Sequence, residues 1–259
     1  MKALAARRRH RFAPVVLVSL ALLVIGGAYA ALAPQPATAA PASADQIALG
    51  KEIFQANCAT CHGVNAEGTE NGPSLIGVGA AAVDFQVSTG RMPMSANAPQ
   101  AEVKPPQLDA EQIAALAAYI ASLGAGPSIP SEEMVDPALG NAARGMELFR
   151  TNCAQCHNAV GAGGALSQGK YAPALDNATP TQIYAAMATG PQSMPVFNDA
   201  NLTPEEKRDI IAYLVAQRDG NTSALDLGSL GPVSEGLWAW VVGIGLLIAT
   251  TVWFGVKSS

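Results

Sequence analysis

Cys58, Cys61 and His62 form one Cys-x-x-Cys-His unit, and Cys153, Cys156 and His157 form another. These are all four cysteines of the chain, and the one remaining histidine, His10, lies in a basic leader. The spacing has a chemical meaning. Two thiols three positions apart add across the two vinyl groups of a haem, and the adjacent imidazole falls under the iron as proximal ligand. This is the attachment pattern of c-type haem. Its duplication predicts two covalently bound haem c groups. A four-thiolate zinc site built from two Cys-x-x-Cys units, or a redox dithiol in a βαβ context, accounts for neither histidine. Nor does either account for the Met-Pro pair that follows each unit.

The second axial ligand follows by elimination. No histidine beyond His62 and His157 remains outside the leader. Methionine is the usual alternative and raises the reduction potential. Met194, followed by Pro195, is the candidate in the second copy. Met92, followed by Pro93, is its counterpart in the first, with Met94 as runner-up. Met134, Met146 and Met187 lack that context and read as core filling.

These ligands sit in an internal repeat. Gly50-Lys-Glu-Ile-Phe54-Gln-Ala-Asn-Cys58 returns as Gly145-Met-Glu-Leu-Phe149-Arg-Thr-Asn-Cys153. Gly72-Pro73-Ser74-Leu75 is echoed by Ala172-Pro173-Ala174-Leu175, and Thr89-Gly90 by Thr189-Gly190. Four-residue spacing puts Gly50, Phe54 and Cys58 on one helix face, and likewise Gly145, Phe149 and Cys153. That face is expected to pack on a closing helix carrying Tyr119 or Tyr213. Asp109 with Gln112, and Thr203 with Pro204 and Glu206, read as N-terminal caps of the closing helices. Each copy thus reads as helix, haem motif, long loop, helix. So small a unit buries a meagre apolar core, which a large flat cofactor at its centre would complete.

The ends are apolar. Phe12 to Ala33 follows an Arg-rich head and reads as a secretory signal or an uncleaved anchor. Ala28-Tyr29-Ala30 and Ala37-Thr38-Ala39 are alternative cleavage sites. Leu237 to Val256 is long enough to cross a bilayer, with Trp238, Trp240 and Trp253 near its ends and Lys257 after it. The arginines are expected to stay inside, the haem units to lie on the extracytoplasmic side of the cell membrane, and the C-terminus to be cytoplasmic. Between Asp45 and Glu235 the chain holds 9 basic against 20 acidic residues, a net of −11. That balance argues against a nucleic-acid partner, which needs basic grooves. No paired carboxylates, nucleophile or nucleotide loop appears. Gly161-Ala162-Gly163-Gly164 follows a haem motif rather than a strand, and reads as flexible loop.

With these residues in view, Gly-x-x-x-Phe-x-x-x-Cys-x-x-Cys-His, the Met-Pro and the Tyr-containing closing helix resemble class I cytochrome c, twice over. The basic leader, two such units and one C-terminal span resemble the dihaem cytochrome cc subunit of actinobacterial cytochrome bcc complexes. The resemblance implies a mainly α fold: two tandem class I cytochrome c domains, a C-terminal transmembrane helix and an N-terminal signal or anchor helix. The expected organisation is a leader over 1–34, a first domain over 45–125, a linker over 126–140, a second domain over 141–220, a linker over 221–236 and a span over 237–256. The resemblance further implies an electron-transfer subunit of a menaquinol-oxidising translocase. A Rieske iron–sulfur subunit would feed the first domain, a terminal haem–copper oxidase would draw from the second, and a cytochrome b subunit would complete the complex. Two other readings stay open: the dihaem subunit of another membrane oxidase or dehydrogenase, and a free-standing anchored carrier or haem-based sensor.

Overall fold

The computed structural model describes residues 12–32, 42–96, 98–219 and 232–257. The chain divides into an N-terminal unit ending at Thr38 and a second unit from Ala39 onward. The N-terminal unit contributes helix α1 (Ala13–Leu32), formed by the apolar run expected there. Cleavage site Ala37-Thr38-Ala39 lies outside the described residues, as does most of the linker over 221–236.

The first repeat begins with α2 (Ala44–Asn57), whose N-cap Ser43 accepts a hydrogen bond from the Gln46 amide at 3.1 Å. A one-turn helix, α3 (Ala59–His62), carries the first haem motif. Helix α4 (Ala80–Ser88) follows, and α5 (Ala110–Leu123) closes the unit. The expected capping box opens α5: the Gln112 amide donates to Asp109 at 2.9 Å, and Gln112 accepts from the Asp109 amide at 3.1 Å. Helices α2 and α5 cross where Gly50 sits. A Cβ there would lie 2.8 Å from the Cβ of Tyr119, closer than side chains tolerate, so glycine permits the approach. One turn on, Phe54 packs on Tyr119 with ring centroids 5.5 Å apart. Ile53, Val83, Val87, Ile113, Leu116 and Ile120 complete this core.

The second repeat has the same plan. Helix α6 (Glu132–Val135) and a 3₁₀ turn (Pro137–Leu139) lead into α7 (Ala142–Asn152) and the one-turn α8 (Ala154–His157). Strands β1 (Gly164–Ala165) and β2 (Tyr171–Ala172) form an antiparallel hairpin. Helices α9 (Pro180–Thr189) and α10 (Pro204–Asp219) follow. Gly145 meets the Asp209 backbone carbonyl as Gly50 meets Ala115, and Phe149 packs on Tyr213 with centroids again 5.5 Å apart. Thr203 and Glu206 form the expected reciprocal cap of α10, at 3.3 and 3.0 Å.

Three details depart from the expectation. The long loop after each haem motif contains a helix, α4 or α9, and the two pack on each other through Ala81, Phe85, Ala185 and Ala186. The glycine-rich run 161–164 is not a free loop. Its last residue enters β1, and the Leu175 amide donates to the Gly161 carbonyl at 2.8 Å. Much of the segment over 126–140 is packed. The Ala81 amide donates to the Pro127 carbonyl at 3.0 Å in the first repeat, while Val135 is buried in the second core.

The chain finishes in α11 (Pro232–Lys257). Among the described residues, one helix is long and apolar enough to cross a membrane: Gly236–Val256, 21 residues. At 1.5 Å per residue it spans about 30 Å, the thickness of a bilayer core. Leu237, Val241, Leu246, Leu247, Ile248 and Val252 are all exposed. An apolar surface of that extent is costly in water and suited to lipid.

Candidate haem sites

Each haem motif is the end of a helix that is anchored elsewhere. Helices α2 and α7 are held at the glycine crossings, so the residues that follow them are delivered at a fixed height. The Cys58 amide donates to the Phe54 carbonyl and the Cys153 amide to the Phe149 carbonyl, both at 2.8 Å. The chain then turns into α3 or α8. The His62 amide donates to the Cys58 carbonyl at 3.0 Å, and the His157 amide to the Cys153 carbonyl at 2.9 Å.

The imidazoles are oriented by a feature that sequence reading noticed but did not interpret. His62 Nδ1 lies 2.7 Å from the Pro73 carbonyl oxygen, and His157 Nδ1 lies 3.0 Å from that of Pro173. A carbonyl only accepts, so Nδ1 carries the proton in both rings. The Nε2 lone pair is therefore available to a metal, the arrangement that backbone carbonyls impose on metal-binding histidines. The Pro-x-Leu echo between the copies was the available signal. The His157 imidazole is held below its usual pKa by burial, opposed by its bond to Pro173, and so favours the neutral form.

The first cysteine of each motif is the more buried of the pair. Burial, assisted by the neighbouring Cys61, pushes the Cys58 thiol up to about 11. Burial, assisted by Cys156, pushes Cys153 up to about 12.

A cavity of about 450 Å³ opens beside the second motif. Cys153, Cys156, His157 and Met194 all line it, with Phe149, Leu175, Ile183, Met187, Phe197 and Leu214 as apolar wall. The volume lies in the range of small-molecule and cofactor sites. Two thiols, one oriented imidazole, one thioether and an apolar lining are the donor set and surroundings that covalent haem requires, so the residues fit the group. In the first repeat, Met92 packs on the same cluster as Cys58, Ala59 and Leu75. Among the described residues, Met94 is not part of that cluster.

Part of the second cavity's wall comes from the first repeat: Phe85, Thr89, Arg91, Gln100, Val103 and Lys104. The two repeats are tied beside it. The Gln100 side chain donates to the Tyr171 carbonyl at 2.8 Å and accepts from the Tyr171 amide at 2.9 Å. The Ala101 amide donates to the Gln192 side chain at 3.3 Å. Sequence reading missed these contacts, since no local pattern marks a glutamine that pairs with backbone 71 residues away.

Comparison with known proteins follows the same division. The family described as "Cytochrome c" matches residues 47–124. The family described as "Cytochrome C oxidase, cbb3-type, subunit III" matches residues 140–214. Over nearly its whole length the chain is similar to proteins named cytochrome bc1 complex cytochrome c subunit. The Corynebacterium diphtheriae protein is 44% identical over 279 residues, covering 99% of each chain. That of Corynebacterium efficiens is 44% identical, covering 96% of this chain and 90% of its own. That of Mycobacterium tuberculosis is 46% identical, covering 97% and 93%. The chain therefore belongs to the family of cytochrome bc1 complex cytochrome c subunits, electron-transfer proteins, and its two cytochrome c domains mark it as a carrier of covalently bound haem c.

Proposed function

We propose that this chain is the dihaem electron relay of a membrane-bound bcc-type menaquinol-oxidising complex, with one haem in each domain. The observation that carries the two-haem reading is the repeated hydrogen bond from His Nδ1 to a proline carbonyl, which prepares His62 and His157 alike as iron ligands. Cys58 with Cys61, and Cys153 with Cys156, are the thioether anchors. Met92 and Met194 would supply the second ligand to each iron, Met92 being favoured over Met94 by its place in the first core. Haem held by these residues would supply one-electron chemistry. The chain's own part is to hold both axial ligands in place, so that little reorganises as the charge changes. It also surrounds the cofactor with apolar side chains such as Phe149, Leu175 and Leu214.

The place in a larger assembly is read from the relatives' name. The first domain accepts an electron from a Rieske iron–sulfur subunit, the second delivers it to a terminal haem–copper oxidase, and a cytochrome b subunit completes the quinol-oxidising core. In this reading the chain makes and breaks no substrate bonds. As the electron-transfer subunit of a translocase, it sits in the cell membrane through α11, with the haem domains on the extracytoplasmic side and Lys257 in the cytoplasm. The basic leader agrees with that orientation, whether α1 is cleaved or retained.

A second reading has one observation behind it: residues 140–214 match a cbb3-type oxidase subunit III family. A single experiment separates the two. A mild-detergent pull-down of the tagged protein from native membranes is expected to recover b-type haem, a Rieske protein and terminal oxidase subunits together. Recovery of a cbb3-type oxidase without a Rieske protein would replace the first reading by the second. Recovery of this chain alone would leave an anchored carrier.

A further inference from the structure

Arg91 is the cation that the second cavity has and the repeat does not account for. It belongs to the first domain, in the segment Thr89-Gly90-Arg91-Met92. The matching stretch of the second domain, Thr189-Gly190-Pro191-Gln192-Ser193-Met194, carries no cation. Arg91 is only 7% exposed. Its guanidinium carbon stands 4.8 Å from the centre of the Phe85 ring, and both residues line the cavity that His157 and Met194 share. Among the described residues, Arg91 makes no ion pair. No carboxylate of the described chain answers its charge.

A buried guanidinium without a counter-charge is unfavourable, and five N–H donors in a planar fork suit one partner best, a carboxylate. Haem carries two carboxylate side groups. We propose that Arg91, although part of the first domain, binds a carboxylate side group of the haem attached to the second, with Lys104 as the accompanying cation on the same wall. This rests on the reading that the second cavity holds a haem, and extends it to the domain boundary. Arg91 is then a positioning residue for a cofactor that its own domain does not attach. Its neighbour Met92 packs into the first core. One peptide bond therefore joins the axial ligand of one haem to the carboxylate clamp of the other. The positive charge also favours the reduced, less positive iron, so it holds the second haem's potential up.

The test is a redox titration of the full-length detergent-solubilised protein, with haem counted on the same samples. Met194→His displaces the component that belongs to the second haem and so identifies it. Arg91→Gln is expected to keep two haems, lower the midpoint of that component and leave the other in place. Arg91→Lys, which retains charge, is expected to restore most of the shift. An unmoved second component in Arg91→Gln, a shift confined to the other component, or an equal fall in Arg91→Lys would overturn the proposal. A haem count below two in the unsubstituted protein would instead contradict the haem reading on which it rests.

Discussion

The two cytochrome c domains share a skeleton and differ in what surrounds their histidines. In both, a glycine lets two helices touch, a phenylalanine–tyrosine pair sits 5.5 Å apart one turn on, and a proline carbonyl orients the imidazole. Between histidine and proline, however, the first domain has a separation of 11 residues and the second 16. The longer segment contains the β1–β2 hairpin, and Tyr171 of that hairpin is where Gln100 of the first domain docks. His157 is buried whereas His62 is half-buried. The lesson is that the repeat supplies the ligands and the departures from it assemble the pair. The additional residues of the second copy dock the domains, and the first copy closes the wall of the second cavity.

The comparison breaks most visibly if one domain's attachment is removed. Cys153→Ser combined with Cys156→Ser is expected to halve the covalent haem, with the first domain's haem kept and its spectrum unchanged. Intact-mass measurement reads this, and loss of both haems would show that the domains do not load independently. Met194→Ala should leave haem attached but alter its low-spin spectrum and lower its potential. An unchanged spectrum would remove Met194 as ligand.

Next in size is the shared crossing. Gly145→Ala drives a Cβ into the Asp209 carbonyl, and Gly50→Ala does the same at Ala115. Each should cost about 3 kcal/mol of stability, as overpacking does, read by denaturant unfolding followed at the haem band of the affected domain. A neutral effect at either would mean that the helices separate without cost. Gln100→Ala tests the docking. It removes two hydrogen bonds at about 1 kcal/mol each and should raise hydrogen exchange at the Tyr171 amide. Slow exchange retained there would show that the apolar patch of Phe85 and Ala185 suffices.

The smallest effect separates the two caps. Thr203→Ala and Asp109→Ala should each cost about 1 kcal/mol. The second cap carries its carboxyl at the third helical position, Glu206, where the first has Gln112. The Thr203 backbone amide, helped by Arg144, holds the Glu206 carboxyl below its usual value. A depressed carboxyl pKa stabilises the fold above the unfolded-state value and loses that contribution as pH falls through the folded one. Acidification should therefore weaken the second cap through Glu206, and Glu206→Gln should remove that part of the pH dependence. Unchanged acid sensitivity in Glu206→Gln would count against this.

Much of this was legible from residue spacing. The haem motifs, the glycine crossings, both caps and the C-terminal apolar helix are local patterns, and local patterns survive in a single sequence. Helix α9 was legible too, since Thr179-Pro180 with Gln182 is the same cap signature that marked α10, but it lay inside a stretch taken as loop. Helix α4 starts from Gly79, which offers no capping side chain, so its sequence gives no comparable start signal. The domain contact was not legible. Gln100, Phe85 and Arg91 act on residues of the other repeat, and nothing in their immediate neighbours records that.

The most direct test of the account is the haem content and axial ligation of the intact protein. Pyridine haemochrome assay and intact mass should give two covalent haems per chain, and low-temperature magnetic circular dichroism should show histidine–methionine ligation at both. One haem per chain, or a histidine–methionine signal from only one site, would contradict the account of two equivalent ligand sets at Cys58–His62 with Met92 and Cys153–His157 with Met194.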